Sequence, residues 1–305
     1  MPRRIKPRAI AAGATLGIAA PGGPLDPDTL RAGCEVWRAA GFRVVHRDDI
    51  VARSGYLAGD DARRVAELSE LVARTDVDAI VCARGGYGCD RILDALDPEA
   101  FRAARKPLVG YSDITALLLW QRRRAGLEGF HGPMLECGGD ADPASLRALV
   151  DQLRGDATLP IVLRGRGRVG GRADGRLVGG NLMLVTASIG TDWAIDTRGA
   201  ILLVEEVHER PYRIDRMLQQ LRAAGKLDGL AGIGVGDVST CCDERYPKPD
   251  ALAVIEQIAA PRGLPLVTHL PFGHSRMNHA WPTGARATID ADRGEIRILE
   301  AGVAR

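Results

Sequence analysis

Residues 79–124 read AIVCARGGYGCDRILDALDPEAFRAARKPLVGYSDITALLLWQRRR, and this stretch decides the fold class. Two short apolar runs, 79–82 (AIVC) and 107–111 (PLVGY), each give way to a turn, 84–88 (RGGYG) and 110–113 (GYSD). Each turn opens a segment with helical spacing, 90–96 and 114–124. The runs are apolar throughout rather than alternating, which marks strands covered on both faces. Strand–turn–helix units of this kind build a parallel, doubly wound sheet. The pattern extends upstream. Residues 15–20 (TLGIAA) end at Pro21-Gly22-Gly23, 28–40 have helical spacing and stop at Gly41, 42–46 are β-rich, and 60–74 form an amphipathic helix with Asp60 or Asp61 as cap.

Downstream the composition changes. Residues 163–176 (LRGRGRVGGRADGR) read as an exposed, loop-rich junction, so an N-terminal α/β domain is expected over 1–160 and a smaller β-rich domain over 161–305. The second domain carries strands at 200–207, 232–238, 265–269 and 285–290 and helices at 214–224 and 250–260.

Composition narrows the function. The 305 residues carry 41 Lys+Arg against 39 Asp+Glu, a net charge of +2, without the basic excess of a nucleic-acid binder. Aromatic residues make up 4%, too few for a base-stacking or carbohydrate platform. No run approaches the roughly 18 apolar residues of a membrane span. The mildly apolar stretch 9–20 is interrupted by Gly13, Thr15 and Gly17, unlike the core of a signal peptide. Cysteines 34, 82, 89, 137, 241 and 242 form no C-x-x-C pair or metal-ligand spacing, which points to reduced thiols in a cytoplasmic protein and to no metal site.

Chemistry concentrates at the turns after the strands, where open α/β sheets bind ligands. Ser112 in 110–115 (GYSDIT) sits where a strand becomes a helix, and either Ser112 or Asp113 could simply cap that helix. The glycines of 84–88 let a backbone approach a ligand closely, but they match neither G-x-G-x-x-G nor a phosphate loop. A serine nucleophile needs a base. Among His46, His131, His208, His269, His274 and His279, the two in Gly-flanked loops, His131 and His274, are equally good on local grounds. Glu205 and Glu206 end the strand 200–207, and period-2 geometry alone does not say which faces a site.

In chain order the sequence then shows TLGIAAPGG (15–23), AIVCARGGYGCDRIL (79–93), KPLVGYSDITALLL (106–119), HGPM (131–134), GGNLMLVTASIGT (179–191), ILLVEEVHERPYRIDRMLQQLRAAGKL (201–227), PFGHSRMN (271–278) and PTGARATID (282–290). This series resembles the LD-carboxypeptidase (muramoyl-tetrapeptide carboxypeptidase) family of serine peptidases. Gly22 stands where a serine often follows the proline, and Ala280-Trp281 before Pro282 also depart from the pattern. The resemblance implies a flavodoxin- or Rossmann-like domain followed by a smaller β-rich one, with a Ser–His–Glu triad drawn from both. By that resemblance Ser112 is the nucleophile, His274 the base and Glu205 the acid; Gly86 and Asp113 supply oxyanion-hole amides, and His131 becomes structural. It further implies a cytoplasmic homodimer that hydrolyses the amide before terminal D-Ala in murein tetrapeptides during cell-wall recycling. Arg84 is the candidate partner for the substrate's free carboxylate. Two alternatives stand beside this. One is a self-immunity hydrolase of the same family cleaving a peptide–nucleotide (microcin-type) antibiotic, which a large aromatic such as Trp193 or Trp281 lining the pocket would favour. The other is a non-catalytic wall-peptide binder, against which the intact triad positions weigh.

Overall fold

The computed structural model describes residues 2–137 and 142–305. The chain separates into two compact units. The first holds the residues up to Ala157 together with Ala280–Pro282 and Gly302–Arg305; the second holds Thr158–His279 and Thr283–Ala301.

The first unit runs β1 (Thr15–Ala19), α1 (Pro27–Ala39), β2 (Arg43–Val45), α2 (Asp61–Ala73), β3 (Ala79–Cys82), α3 (Pro98–Ala104), β4 (Leu108–Gly110), α4 (Ile114–Trp120), β5 (Phe130–His131) and α5 (Pro143–Arg154). The five strands are parallel in the order β2-β1-β3-β4-β5, the flavodoxin-like winding. β1 and β3 are buried at every position, as continuous apolar runs require when helices cover both faces. The chain winds outward in one direction from β1 to β2 and in the other through β3. The carboxyl ends of β1 and β3 therefore flank a topological switch point, and the turns 21–23 and 84–88 leave from it. Helix starts follow capping chemistry: Asp26, Asp60, Asp97 and Asp142 each accept a backbone N–H of the first turn.

The second unit contains β6 (Ile161–Arg164), β7 (Arg166–Val169), β8 (Arg172–Asn181), α6 (Leu182–Ala187), β9 (Ala200–Glu205), α7 (Pro211–Ala223), β10 (Gly232–Val235), α8 (Ala251–Ala259), β11 (Leu266–Thr268), β13 (Arg286–Asp290) and β14 (Glu295–Ile298). Its sheet has the order β6-β14-β13-β8-β9-β10-β11-β7, with β8 to β11 parallel and the flanks antiparallel. The intervening strand β12 (Trp281–Pro282) joins the first unit instead, pairing antiparallel with β5.

Several expectations are corrected. The Arg/Gly stretch is not a loop: it forms β7 and the start of β8. Its glycines sit where backbones approach closely. A Cβ on Gly165 would lie 2.3 Å from Thr268 O, and one on Gly167 would lie 1.9 Å from Ala291 O. Residues 161–305 do not make one unit, because Trp281 is buried as an edge strand of the first sheet and the last residues return there. The segment after Gly88 is a 3₁₀ helix (Cys89–Ala95) rather than an α-helix. The helix opened by Ile114 widens into a π turn over Gln121–Ala125.

Cys34, Cys82, Cys89, Cys241 and Cys242 are free thiols, and the Cys137 side chain lies outside the described residues. Among the described residues, no helix is long and apolar enough to cross a membrane.

The β8–β9 contact yields a stability test. Gly179 (φ +134°) faces Leu203 so closely that a Cβ would stand 1.8 Å from its carbonyl oxygen, whereas Gly190 (φ +91°) has open space around it. Gly190→Ala should cost about 1 kcal/mol for its positive φ alone. Gly179→Ala should cost at least about 3 kcal/mol, because the sheet must also open. Urea unfolding midpoints measure both, and equal shifts would refute the close approach as the cause.

Candidate active site

In the first unit, β4 delivers Tyr111 and Ser112 to the start of α4. Ser112 is half-buried and holds φ at +59°, a left-handed conformation that non-glycine residues rarely adopt. Such strain persists where the surroundings enforce it, and a sharp strand-to-helix turn is also how a nucleophilic serine is held proud of a sheet. Glycines make the turn possible. A Cβ on Gly110 would lie 2.7 Å from the Ile114 side chain. One on Gly85 would lie 2.8 Å from Ser112 Cβ and 3.0 Å from its Oγ. The 84–88 turn therefore passes directly against the serine. Gly86, at φ +93°, packs on Gly23, whose N–H donates to Gly85 O at 2.6 Å.

Asp113 does not cap its own helix. Its buried Oδ2 instead accepts the Cys89 N–H at 2.9 Å, tying the end of the glycine turn to the serine turn. Burial pushes the Asp113 carboxyl up, against the lowering effect of that hydrogen bond. Arg84 is 45% exposed, donates to Pro24 O at 3.0 Å, and lies 3.3 Å from Glu136 Oε2.

In the second unit, β9 ends at Glu205, whose side chain is fully buried. Its Oε2 lies 2.6 Å from His274 Nδ1. A carboxylate only accepts, so Nδ1 carries the proton and Nε2 is left as the basic nitrogen. Glu205 Oε1 has no hydrogen-bond partner among the described residues, so His274 is the compensation for this buried acid. Gly273 makes the approach possible: at φ +117°, a Cβ there would stand 3.0 Å from Glu205 Cβ. Burial pulls the His274 pKa down, but the hydrogen bond and charge of Glu205, with Glu206 and Asp237 behind, outweigh it and raise the value above 6.5.

Period-2 geometry sends Glu206 elsewhere. Its carboxylate accepts Asn181 Nδ2, Met183 N and Val207 N, each at 2.9 Å, and so anchors the start of α6. Burial raises its pKa.

The structure thus brings Glu205 and His274 into contact, and gathers Ser112, Asp113 and the Gly86 turn at one sheet edge. His131 is a core residue, stacked on Trp281 at 5.0 Å between ring centroids. Trp193 and Trp281 are 6% and 0% exposed, so neither presents a ring to a nucleobase. Sequence reasoning missed the left-handed Ser112 and the side-chain role of Asp113. The glycines beside the serine were the one signal for the first.

The model of the LD-carboxypeptidase N-terminal domain matches residues 16–132, and that of the C-terminal domain matches 174–289. A probable murein peptide carboxypeptidase of Bacillus subtilis is 37% identical over 98% of this chain and 95% of its own length. The murein tetrapeptide carboxypeptidase of Pseudomonas aeruginosa is 32% identical over 91% of this chain and 94% of its own. The solved structure of MccF in complex with glutamyl sulfamoyl guanosine superposes with a TM-score of 0.90 over 98% of this chain and 99% of that one, at 24% identity, a likeness of fold. With both domain models matched and relatives aligned along nearly its whole length, the chain belongs to the LD-carboxypeptidase family of hydrolases.

Proposed function

We propose that the protein is a serine-type LD-carboxypeptidase that removes terminal D-Ala from murein tetrapeptides. The observation that carries the chemistry is the buried Glu205–His274 hydrogen bond. The names of the B. subtilis and P. aeruginosa relatives supply the substrate class. The buried Trp193 and Trp281 give no support to a peptide–nucleotide substrate.

In this reading the Ser112 oxygen attacks the amide carbonyl while His274 Nε2 takes its proton. Glu205 holds the ring in the required tautomer and stabilises the imidazolium. The N–H groups of Gly86 and Asp113 receive the oxyanion, each contributing roughly 3 kcal/mol of transition-state stabilisation. His274 then returns the proton to the departing D-Ala amine, and water releases the acyl group by the same route. No step calls for a metal or organic cofactor. Arg84, exposed beside the glycine turn, is the cation for the substrate's free carboxylate and would exchange Glu136 for it. The free thiols fit a reducing compartment, so the proposal includes cytoplasmic cell-wall recycling, by a homodimer as in the family.

Incubation with murein tetrapeptide should release one D-Ala per molecule, seen by mass. Ser112→Ala should lower turnover by several orders of magnitude while the protein stays folded. Retention of activity within tenfold would reduce Ser112 to a turn residue.

The adjacent glutamates should separate cleanly. Glu205→Gln should lower turnover by up to about 10⁴-fold, the cost of an acid-to-amide change in a triad. Glu206→Gln turns an acceptor of three N–H groups into a mixed donor and acceptor, so it should lose about 1–3 kcal/mol of stability and little turnover per folded molecule. Saturating turnover and urea melts on both variants check this. The reverse pattern would assign the acid to Glu206.

The pH profile follows from the raised His274 pKa. The base must be neutral to work, so kcat/KM should rise with pH along a limb centred above 6.5, and Glu205→Gln should move that limb to lower pH. Stability carries the opposite sign: the charged pair's contribution is fully present below the ordinary histidine value and is lost as pH rises through the raised one. A limb centred below 6.5 would show that His274 is not the titrating base.

A further inference from the structure

Arg64 is a buried cation that the chemistry above does not use. It sits on α2 with its side chain fully buried, and Nη1 donates to Pro21 O at 2.5 Å and to Gly88 O at 2.7 Å. Nη2 donates to Asp61, which Arg91 grips from outside through Nε at 3.0 Å and Nη2 at 2.8 Å. Arg64 Nε is buried with no hydrogen-bond partner among the described residues. Burying a guanidinium with a donor left over is costly, and an apolar side chain of similar size would fill the space without that cost. Stability alone does not account for this residue.

The carbonyls it holds belong to the turns at the switch point. Pro21 opens the turn after β1, and Gly88 closes the turn after β3. The second turn is further pinned at its start, where Gly23 N–H donates to Gly85 O at 2.6 Å, and at its end, where Cys89 N–H donates to Asp113 Oδ2 at 2.9 Å. Gly86 lies between these pins, at φ +93° and with no side chain of its own to fix it. The direction of its N–H is therefore set by what holds the turn's two ends.

We propose that Arg64 is a positioning residue for the reaction: by holding Pro21 O and Gly88 O on one guanidinium, it aims the Gly86 N–H at the oxyanion. The inference rests on the serine-peptidase reading above. A merely structural arginine would lower stability on removal without distinguishing the transition state from bound product.

The test uses Arg64→Met, which keeps the side chain's length and removes its donors, and Arg64→Lys, whose compact ammonium replaces the planar fork. The readouts are kcat and KM on tetrapeptide, inhibition by a peptide boronic acid whose serine adduct places an oxygen where the oxyanion would be, and affinity for the tripeptide product. Loss of a whole oxyanion donor costs about 10²–10³-fold, so a misaimed one in Arg64→Met should lower kcat by about 10- to 100-fold. KM and product affinity should stay within about twofold, and boronate affinity should fall by the same factor as kcat/KM. Arg64→Lys should fall between Arg64→Met and the wild type. Unchanged kcat in the folded variants, or product affinity falling as far as boronate affinity, would overturn the role. If circular dichroism shows that Arg64→Met does not fold, Arg64→Lys decides by the same criteria. A wild-type protein that releases no D-Ala and forms no boronate adduct would take the serine-peptidase reading down and this role with it. An active wild type with undisturbed variants would remove only the role of Arg64.

Discussion

A carboxylate at the end of a fully buried strand is shielded from bulk solvent, and among the described residues Glu205 is held there by its hydrogen bond to His274. Much of the second unit's local sequence follows from that constraint. Gly273 must lack a side chain for the His274 loop to lie against Glu205. Neighbouring Glu206, pointing the other way, must find its own donors, and it finds them at the start of α6. The Asn181 amide that serves Glu206 also caps α6 through its oxygen, at 3.3 Å from Leu184 N. Two adjacent acids in an apolar strand are thus satisfied by different means, one by a single imidazole and the other by three N–H groups.

The first unit solves a related problem with backbone rather than side chains. The turns that leave β1 and β3 expose carbonyls and amides at a buried edge, and each of these groups needs a partner. Glu67 accepts the Ala20 N–H at 2.6 Å, Arg64 takes Pro21 O and Gly88 O, and Asp113 takes the Cys89 N–H. Glu67 is in turn held by Arg63, 2.6 Å away. A helix whose face toward the sheet would ordinarily be apolar carries charged residues here, because the groups it meets are turn backbone. Burial raises the Glu67 pKa, with the Arg63 charge opposing the shift.

The central fold was legible because buried parallel strands write themselves as apolar runs, and β3 was read to the residue. The strand order was legible only as a class: nothing in TLGIA or AIVC says that β1 lies between β2 and β3. The helices α3 and α5 were missed although each opens with an Asp-Pro pair, Asp97-Pro98 and Asp142-Pro143, a cap followed by the residue suited to the first turn. The strands β7 and β8 were missed because glycine was read as loop propensity, whereas here it admits a neighbouring backbone. At the site, strand parity shows that Glu205 and Glu206 diverge but not which way. The asymmetry comes from Gly273 and Asn181, far apart in sequence.

The surroundings of His274 set two demands against each other. A raised pKa makes the imidazole a stronger base toward a serine hydroxyl, yet it leaves less of the base free at a given pH. Glu205 alone would push toward basicity, and Glu206 and Asp237 add to it from nearby. Burial of the ring is the counterweight, because desolvation disfavours the imidazolium that the acids favour. Removing a charge therefore does not act like opening the site to water, although both change the same pKa. Loss of Glu205 lowers it and also releases the ring's orientation, whereas hydration lifts the desolvation penalty and weakens the pull of every acid at once. In the proposed role of His274 as the base, the acid, the glycine beside it and the burial of the ring therefore act together on one nitrogen.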